Sequence, residues 1–197
     1  MTHPLKRRAV VAQLLADRSP DLLVIGGLGA PTYDMTAVED HHLNFPLWGG
    51  MGGALPIGIG LAAAQPKKRV LVLTGDGEML MGLGALGTAA AQRLENLLCV
   101  VLDNERYGET GMQVTHTASV VDLAGVAKAT GWVEAHSIAD QKVLDAFAPK
   151  VKAGRGPIFA NIKIAADPEG FVLPPRDGGH LQVRFRQALL GPAAALT

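Results

Sequence analysis

The chain has 197 residues, 48% of them hydrophobic and 18% charged, with Lys plus Arg and Asp plus Glu equal at 18 each. That size and composition fit one globular domain with a substantial core and exclude a disordered chain, while the balanced charge gives nucleic acid or an anionic membrane surface no global attraction. The single cysteine, Cys99, excludes an internal disulfide framework and an iron–sulfur cluster built by this chain alone.

In chain order, a first helix is expected at about residues 4–15. The stretch from Met1 through Lys6, Arg7 and Arg8 has no apolar h-region or small-residue cleavage site. No run of about 18 apolar residues is free of charge, Pro or clustered Gly, so a soluble cytoplasmic protein is expected. Residues 22–25, 70–73, 97–102 and 158–164 are apolar almost throughout, which predicts strands buried on both faces of a parallel sheet. Helix-length segments separate them at 53–64, 82–94, 120–130 and 141–153. Alternating strands and helices predict an α/β domain, a three-layer sandwich with a mostly parallel central sheet. The whole chain reads as a single domain with its core at about 20–165. The tail, 166–197, turns loop-like through Leu173, Pro174 and Pro175 and ends in a basic helix at about 182–190. Cys99, inside the third strand, reads as a core thiol.

Glycine is clustered at strand ends and helix starts: Gly26–Gly27–Leu28–Gly29, Gly49–Gly50–Met51–Gly52–Gly53 and Gly75–Asp76–Gly77. In an open α/β sheet, ligands bind outside the carboxyl ends of the strands, where such loops gather. One cluster imitates a dinucleotide site. Gly82, Gly84 and Gly87 fit G-x-G-x-x-G, and Asp103 stands where a ribose-binding acid would. The first glycine of that fingerprint leaves the strand directly, whereas residues 75–81 intervene here. A nicotinamide reading is therefore the weaker one, and these glycines are expected to let a helix pack closely.

Asp76 supports another chemistry. A carboxylate at a strand exit, flanked by glycines, suits a hard cation, and magnesium takes a carboxylate or two together with substrate phosphates. Asn104 offers a second oxygen 28 positions later, at the end of the next strand. The helix expected from Gly82 would add a favourable N-terminal dipole for a diphosphate.

These residues resemble a family. Gly75–Asp76–Gly77, followed by Asp103–Asn104–Glu105–Arg106–Tyr107–Gly108, looks like the signature of thiamine diphosphate enzymes. The resemblance implies that Asp76, the Asn104 side chain and the Arg106 carbonyl ligate Mg²⁺. It also implies that Gly75, Gly77, Glu78, Tyr107 and Gly108 line the cofactor. The family often has Asn at position 103, but the second position is the ligand. Gly49–Gly50–Met51–Gly52 is similar to the segment under the aminopyrimidine, which makes Met51 the apolar wedge and the Gly49 carbonyl an acceptor for the 4′-amino group.

The glutamate that activates this cofactor belongs to a second, pyrimidine-binding domain, for which this chain shows no motif. The expectation is a separate partner subunit in a hetero-oligomer, α2β2 or larger, with no nucleic acid or membrane partner. The layout resembles the sulfopyruvate and phosphonopyruvate decarboxylase group, which implies non-oxidative loss of CO₂ from a small 2-oxoacid. A carboligase of the acetolactate synthase kind would use the same residues, and a non-catalytic subunit or a 2-oxoacid oxidoreductase subunit are further alternatives. His41, His42, Gln113 and His116 are candidate catalytic groups on the substrate side, with Glu109 and Thr110 beside them; a histidine near neutrality can give a proton.

Overall fold

The computed structural model describes residues 5–195, and the leader reading that starts at Met1, the helix start at Pro4 and the last two residues of the tail lie outside them. The elements run α1 (Arg7–Leu15), β1 (Leu22–Gly26), α2 (Ala30–Val38), β2 (Asn44–Pro46), α3 (Ala54–Ala64), β3 (Arg69–Gly75), α4 (Asp76–Met81) and α5 (Ala85–Gln92). They continue with β4 (Leu97–Asp103), β5 (Arg106–Tyr107), β6 (Gln113–Val114), α6 (Leu123–Thr130), β7 (Glu134–Ile138), α7 (Gln141–Phe147), α8 (Lys150–Ala153), β8 (Ile158–Lys163) and α9 (Gly178–Leu190).

Among the described residues the main sheet has six strands in the order β2-β1-β3-β4-β8-β7, every neighbouring pair parallel. Successive side chains of a strand point to opposite faces, and here both faces are apolar. Leu23, Ile25, Val70, Val72, Leu97, Cys99 and Val101 pack with α3, α5, α6 and α9. Leu22, Val24, Leu71, Leu73, Leu98, Val100 and Leu102 pack with α1, α2, α7 and α8. This is the three-layer α/β sandwich expected from the continuous apolar runs. Cys99 is fully buried, and burial pushes its thiol pKa up, as suits a core side chain. No helix among the described residues is long and apolar enough to cross a membrane.

Several boundaries differ from expectation, each for a local reason. The segment at 82–94 begins its helix only at Ala85, because a separate helix, α4, starts at Asp76 and ends at Gly82. The segment at 141–153 is split at Pro149, which has no N–H to continue a helix. The helix expected from Val120 starts at Leu123, since the His116 carbonyl takes the N–H groups of Ser119, Val120 and Val121 in a 3-10 turn. Asp177 caps α9 by accepting from the His180 N–H at 3.0 Å, so the last helix starts at Gly178 instead of Gln182. Elements α2, β2 and β7 and the β5–β6 hairpin were not expected.

Layer packing is tight where α3 crosses β3. A β-carbon on Gly58 would lie 2.2 Å from Val72 Cγ2. Gly58→Ala is expected to destabilise the chain by about 1–3 kcal/mol through overpacking, read as a lower urea midpoint at constant m-value.

Candidate functional site

Connections from β1 lead to β2 on one side of the sheet, and those from β3 lead to β4 on the other. The chain reverses its strand order between β1 and β3, and a crevice opens at such a point outside the carboxyl ends. An open cleft of about 630 Å³ lies there. It draws Leu28, Ala30 and Pro31 from beyond β1, Met51 from the loop before α3, and Gly75, Asp76, Gly77 and Glu78 from the end of β3. From β4 and its hairpin come Leu102, Asn104, Arg106, Tyr107, Gly108, Glu109 and Thr110, with Ile164 from beyond β8.

Asp76 is buried at 1% exposure. Its Oδ2 accepts from Thr115 Oγ1 at 2.5 Å and from Thr117 Oγ1 at 3.3 Å. Burial pushes its pKa up to about 6, and the Asp103 carboxylate adds to the rise while the Thr115 bond opposes it. Asp103 is also fully buried, and it accepts from Thr117 Oγ1 and Asn161 Nδ2 at 2.8 Å each, pairs with Lys163 Nζ at 2.9 Å and caps the Glu105 N–H. Every one of those partners is internal, so Asp103 is not a free acid awaiting a ribose. Gly82, the first glycine of the dinucleotide-like run, closes α4 against the backbone of Gly52.

The turn after β4 arranges the other two oxygens. Asn104 Oδ1 accepts from the Arg106 N–H at 3.0 Å, and Glu105 takes a left-handed φ of 61°. Thr115 N–H donates to the Glu105 carbonyl, which flanks the Arg106–Val114 pair and marks it as the non-hydrogen-bonded kind. The Arg106 carbonyl is thus left out of the hairpin ladder. Gly77 allows the Tyr107 ring to lie against the loop, since a β-carbon there would stand 2.5 Å from Tyr107 Cε1. One carboxylate, one amide oxygen and one carbonyl make a hard donor set with few protein ligands, as magnesium takes when phosphates and water complete its octahedron. No cluster of three or more His, Cys, Asp or Glu among the described residues offers a different metal site. The residues fit the expected ion.

Glu78 lines the same cleft, but its carboxylate is engaged. Oε2 accepts from Thr74 Oγ1 at 2.8 Å and Oε1 from the Ala54 N–H at 3.2 Å. Burial raises its pKa, against the pull of the Thr74 hydroxyl and the N–H groups of Ala54, Leu28 and Gly52. At the cleft wall stands Tyr33, a residue of α2 absent from the sequence-based candidates, whose pKa is raised by burial and then by the nearby Glu109 carboxylate.

His41 and His42 are not brought to the cleft, which corrects their assignment as catalytic candidates. They precede β2, at its amino end, so they lie at the edge of the sheet opposite the ligand crevice. The two rings stack at 4.2 Å, and His41 Nδ1 accepts from the Leu43 N–H at 3.0 Å. Burial, then the nearby Arg18 charge, lowers the His41 pKa. Gln113 holds the hairpin, donating to the Thr110 carbonyl at 2.7 Å and accepting from Thr110 Oγ1 at 2.9 Å. His116 is exposed, and neither residue lines the cleft. Gly49 is exposed two residues from Met51 and is not among the lining residues either. The two threonines that hold Asp76 carried no sequence signal, because they reach it from 39 and 41 positions away.

The thiamine pyrophosphate enzyme, C-terminal TPP binding domain family matches residues 27–162. The chain is 42% identical over 144 residues to the sulfopyruvate decarboxylase subunit beta of Methanothermobacter thermautotrophicus, covering 73% of this chain and 74% of that protein. It is 32% identical over 189 residues to the phosphonopyruvate decarboxylase of Streptomyces viridochromogenes, where it spans 95% of its own length but 47% of the relative's. The benzoylformate decarboxylase structure from Polynucleobacter necessarius superposes with a TM-score of 0.73 at 19% identity, over 85% of this chain and 34% of that one, which supports the fold alone. With its switch-point cleft, its oxygen donors and a family match across most of its length, the chain belongs to the thiamine pyrophosphate enzymes, as their C-terminal TPP-binding domain.

Proposed function

We propose that this chain is the diphosphate- and magnesium-binding subunit of a thiamine diphosphate-dependent 2-oxoacid decarboxylase of the sulfopyruvate and phosphonopyruvate decarboxylase kind. It acts in the cytoplasm with a separate pyrimidine-binding subunit. The observation that carries the reading is the convergence of Met51, Asp76, Asn104 and Arg106 on one cleft across the strand ends. The beta-subunit designation of its relative, most of whose length the chain covers, supports the partner.

Thiamine diphosphate, when bound, supplies the electron sink that lets CO₂ leave a 2-oxoacid. The Asp76 carboxylate, the Asn104 amide oxygen and the Arg106 carbonyl hold Mg²⁺ against the diphosphate. Gly75, Gly77 and Gly108 keep side chains away from that end, and the Tyr107 ring closes the loop over Gly77. Met51 would give the cofactor an apolar support in the cleft. Gly49, exposed beside it, is left for the pyrimidine end, where the partner contributes its glutamate.

The chain purified alone, with thiamine diphosphate and Mg²⁺, is expected to release no CO₂ from any 2-oxoacid in a panel. Adding the pyrimidine-binding subunit should restore turnover. Robust decarboxylation by the chain alone would overturn the division of labour.

A further inference from the structure

We infer that Glu78 is a positioning residue, one whose buried carboxylate ties the loop before α3 and the turn after β1 to the end of β3 and so holds a single cofactor seat together. The inference rests on the cleft being that seat.

Glu78 is 3% exposed, and its carboxylate accepts from Thr74 Oγ1 at 2.8 Å and from the Ala54 N–H at 3.2 Å, while the N–H groups of Leu28 and Gly52 face it closely enough to pull its pKa down against burial. Each carboxylate oxygen is thus engaged by a partner inside the protein. The donors belong to different segments. Thr74 is in β3, one residue before the Gly75–Asp76 turn; Leu28 follows β1; Gly52 and Ala54 flank the junction of the Met51 loop with α3. Leu28, Met51 and Asp76 are the residues those same segments send into the cleft.

The Met51 loop has particular need of such a clamp. Four of its five residues, Gly49, Gly50, Gly52 and Gly53, are glycines, and Gly50 and Gly52 sit at φ values of 74° and 89°. Each glycine loses more backbone freedom on ordering than other residues do, and no helix or strand holds residues 49–53. By accepting from the Ala54 N–H and from Thr74 Oγ1, one buried acid fixes the loop's far end to the end of β3, beside the Asp76 turn. The opposite wall is built around the same group. A β-carbon on Gly27 would lie 2.0 Å from Glu78 Oε2, so the chain leaves that space to the carboxylate.

The test is a cycle between positions 27 and 78 in the full chain assembled with its partner subunit. Thiamine diphosphate binding is measured by calorimetry at saturating Mg²⁺, well below the melting temperature, and the urea midpoint is followed in parallel. Glu78→Gln keeps the shape but turns an acceptor into a donor facing N–H groups, and is expected to weaken cofactor binding tenfold or more while the chain stays folded. Gly27→Ala should weaken it similarly. Gly27→Ala combined with Glu78→Ala should bind no worse than Glu78→Ala alone, because the added methyl fills space the carboxylate has left. Cofactor affinity within twofold of the wild type in Glu78→Gln, with only the urea midpoint lowered, would reduce Glu78 to a structural brace and overturn the inference. So would strictly additive losses in the double variant. Absence of thiamine diphosphate binding in the wild-type assembly would instead overturn the reading of the cleft.

Discussion

Replacing Asp76 with alanine should abolish magnesium-dependent cofactor binding in the assembled enzyme, with the affinity for thiamine diphosphate falling about a hundredfold or more, on the order of 3 kcal/mol. The loss follows from removing the single carboxylate of the donor set. Calorimetry with and without Mg²⁺ reads it directly, and an unchanged affinity would mean that the metal lies elsewhere. The same side chain should have the opposite effect on the metal-free chain. Burial, reinforced by Asp103, raises its pKa from 3.8 to about 6, so the folded state binds the proton more tightly than the unfolded state does. The stability this confers is present below the unfolded pKa and is lost as pH rises through about 6. At pH 8 the desolvated carboxylate then weakens the fold by about 3 kcal/mol. Asp76→Asn, which is uncharged and can still accept from Thr115, is expected to raise the melting temperature of the metal-free chain at pH 8 by several degrees. The gain should shrink toward pH 4. On the proposed function, Asp76 is a carboxylate kept for a cation at a cost to the metal-free fold.

Asp103→Ala should be among the most damaging changes to the fold itself, at about 3–5 kcal/mol in urea denaturation. It would strand Asn161 Nδ2 and the Glu105 N–H, leave Thr117 Oγ1 with only Asp76 and Thr115, and take one of two carboxylate partners from Lys163, which keeps Glu105 at 2.7 Å. Burial lowers the Lys163 pKa, but its bonds to Glu105 and Asp103 outweigh that and raise it overall, in keeping with a cation that belongs to the network. Asp103→Asn keeps one acceptor but faces Lys163 and Asn161 with donors, so an intermediate loss is expected. A loss below about 1 kcal/mol for Asp103→Ala would show that water or rearranged partners satisfy these groups.

The central sheet and the turns that carry Asp76 and Asn104 were legible in the sequence because both are locally encoded. Strands buried on two faces read as unbroken apolar runs, and the Asp76 and Asn104 motifs fall at consecutive strand ends. The edges were not legible for the converse reason. Strand β2 is three residues long, and β7 is polar, with Glu134, His136 and Ser137 among its five residues. Overlooking α2 and β2 hid the return of the chain to the amino edge, and this is what misplaced His41 and His42. Asp103 was read only as a tolerated departure beside a ligand. Its partners Thr117, Asn161 and Lys163 lie 14 to 60 positions away, beyond any local pattern. Glu78 adjoins the motif and lines the cleft, but the partners that engage its carboxylate, Thr74 and Ala54 with Gly27 leaving it room, are visible only in the fold.

The two unexpected edge strands also bear on how the molecule avoids aggregation. Unpaired strand edges are templates on which further chains stack. Here one edge offers three residues and is covered by α9, with Phe185 against Phe45 at 5.4 Å and Arg184 paired to Asp40. The other carries Glu134 bonded to His136 and Lys150 at 2.8 Å each, and a charged border of this kind is poorly suited to receive a neighbour. Neither edge therefore offers a long apolar strand for a neighbour to extend. At high concentration the protein should resist fibrillar stacking, and a companion chain must approach it over the strand termini or the helical layers, not by lengthening the sheet.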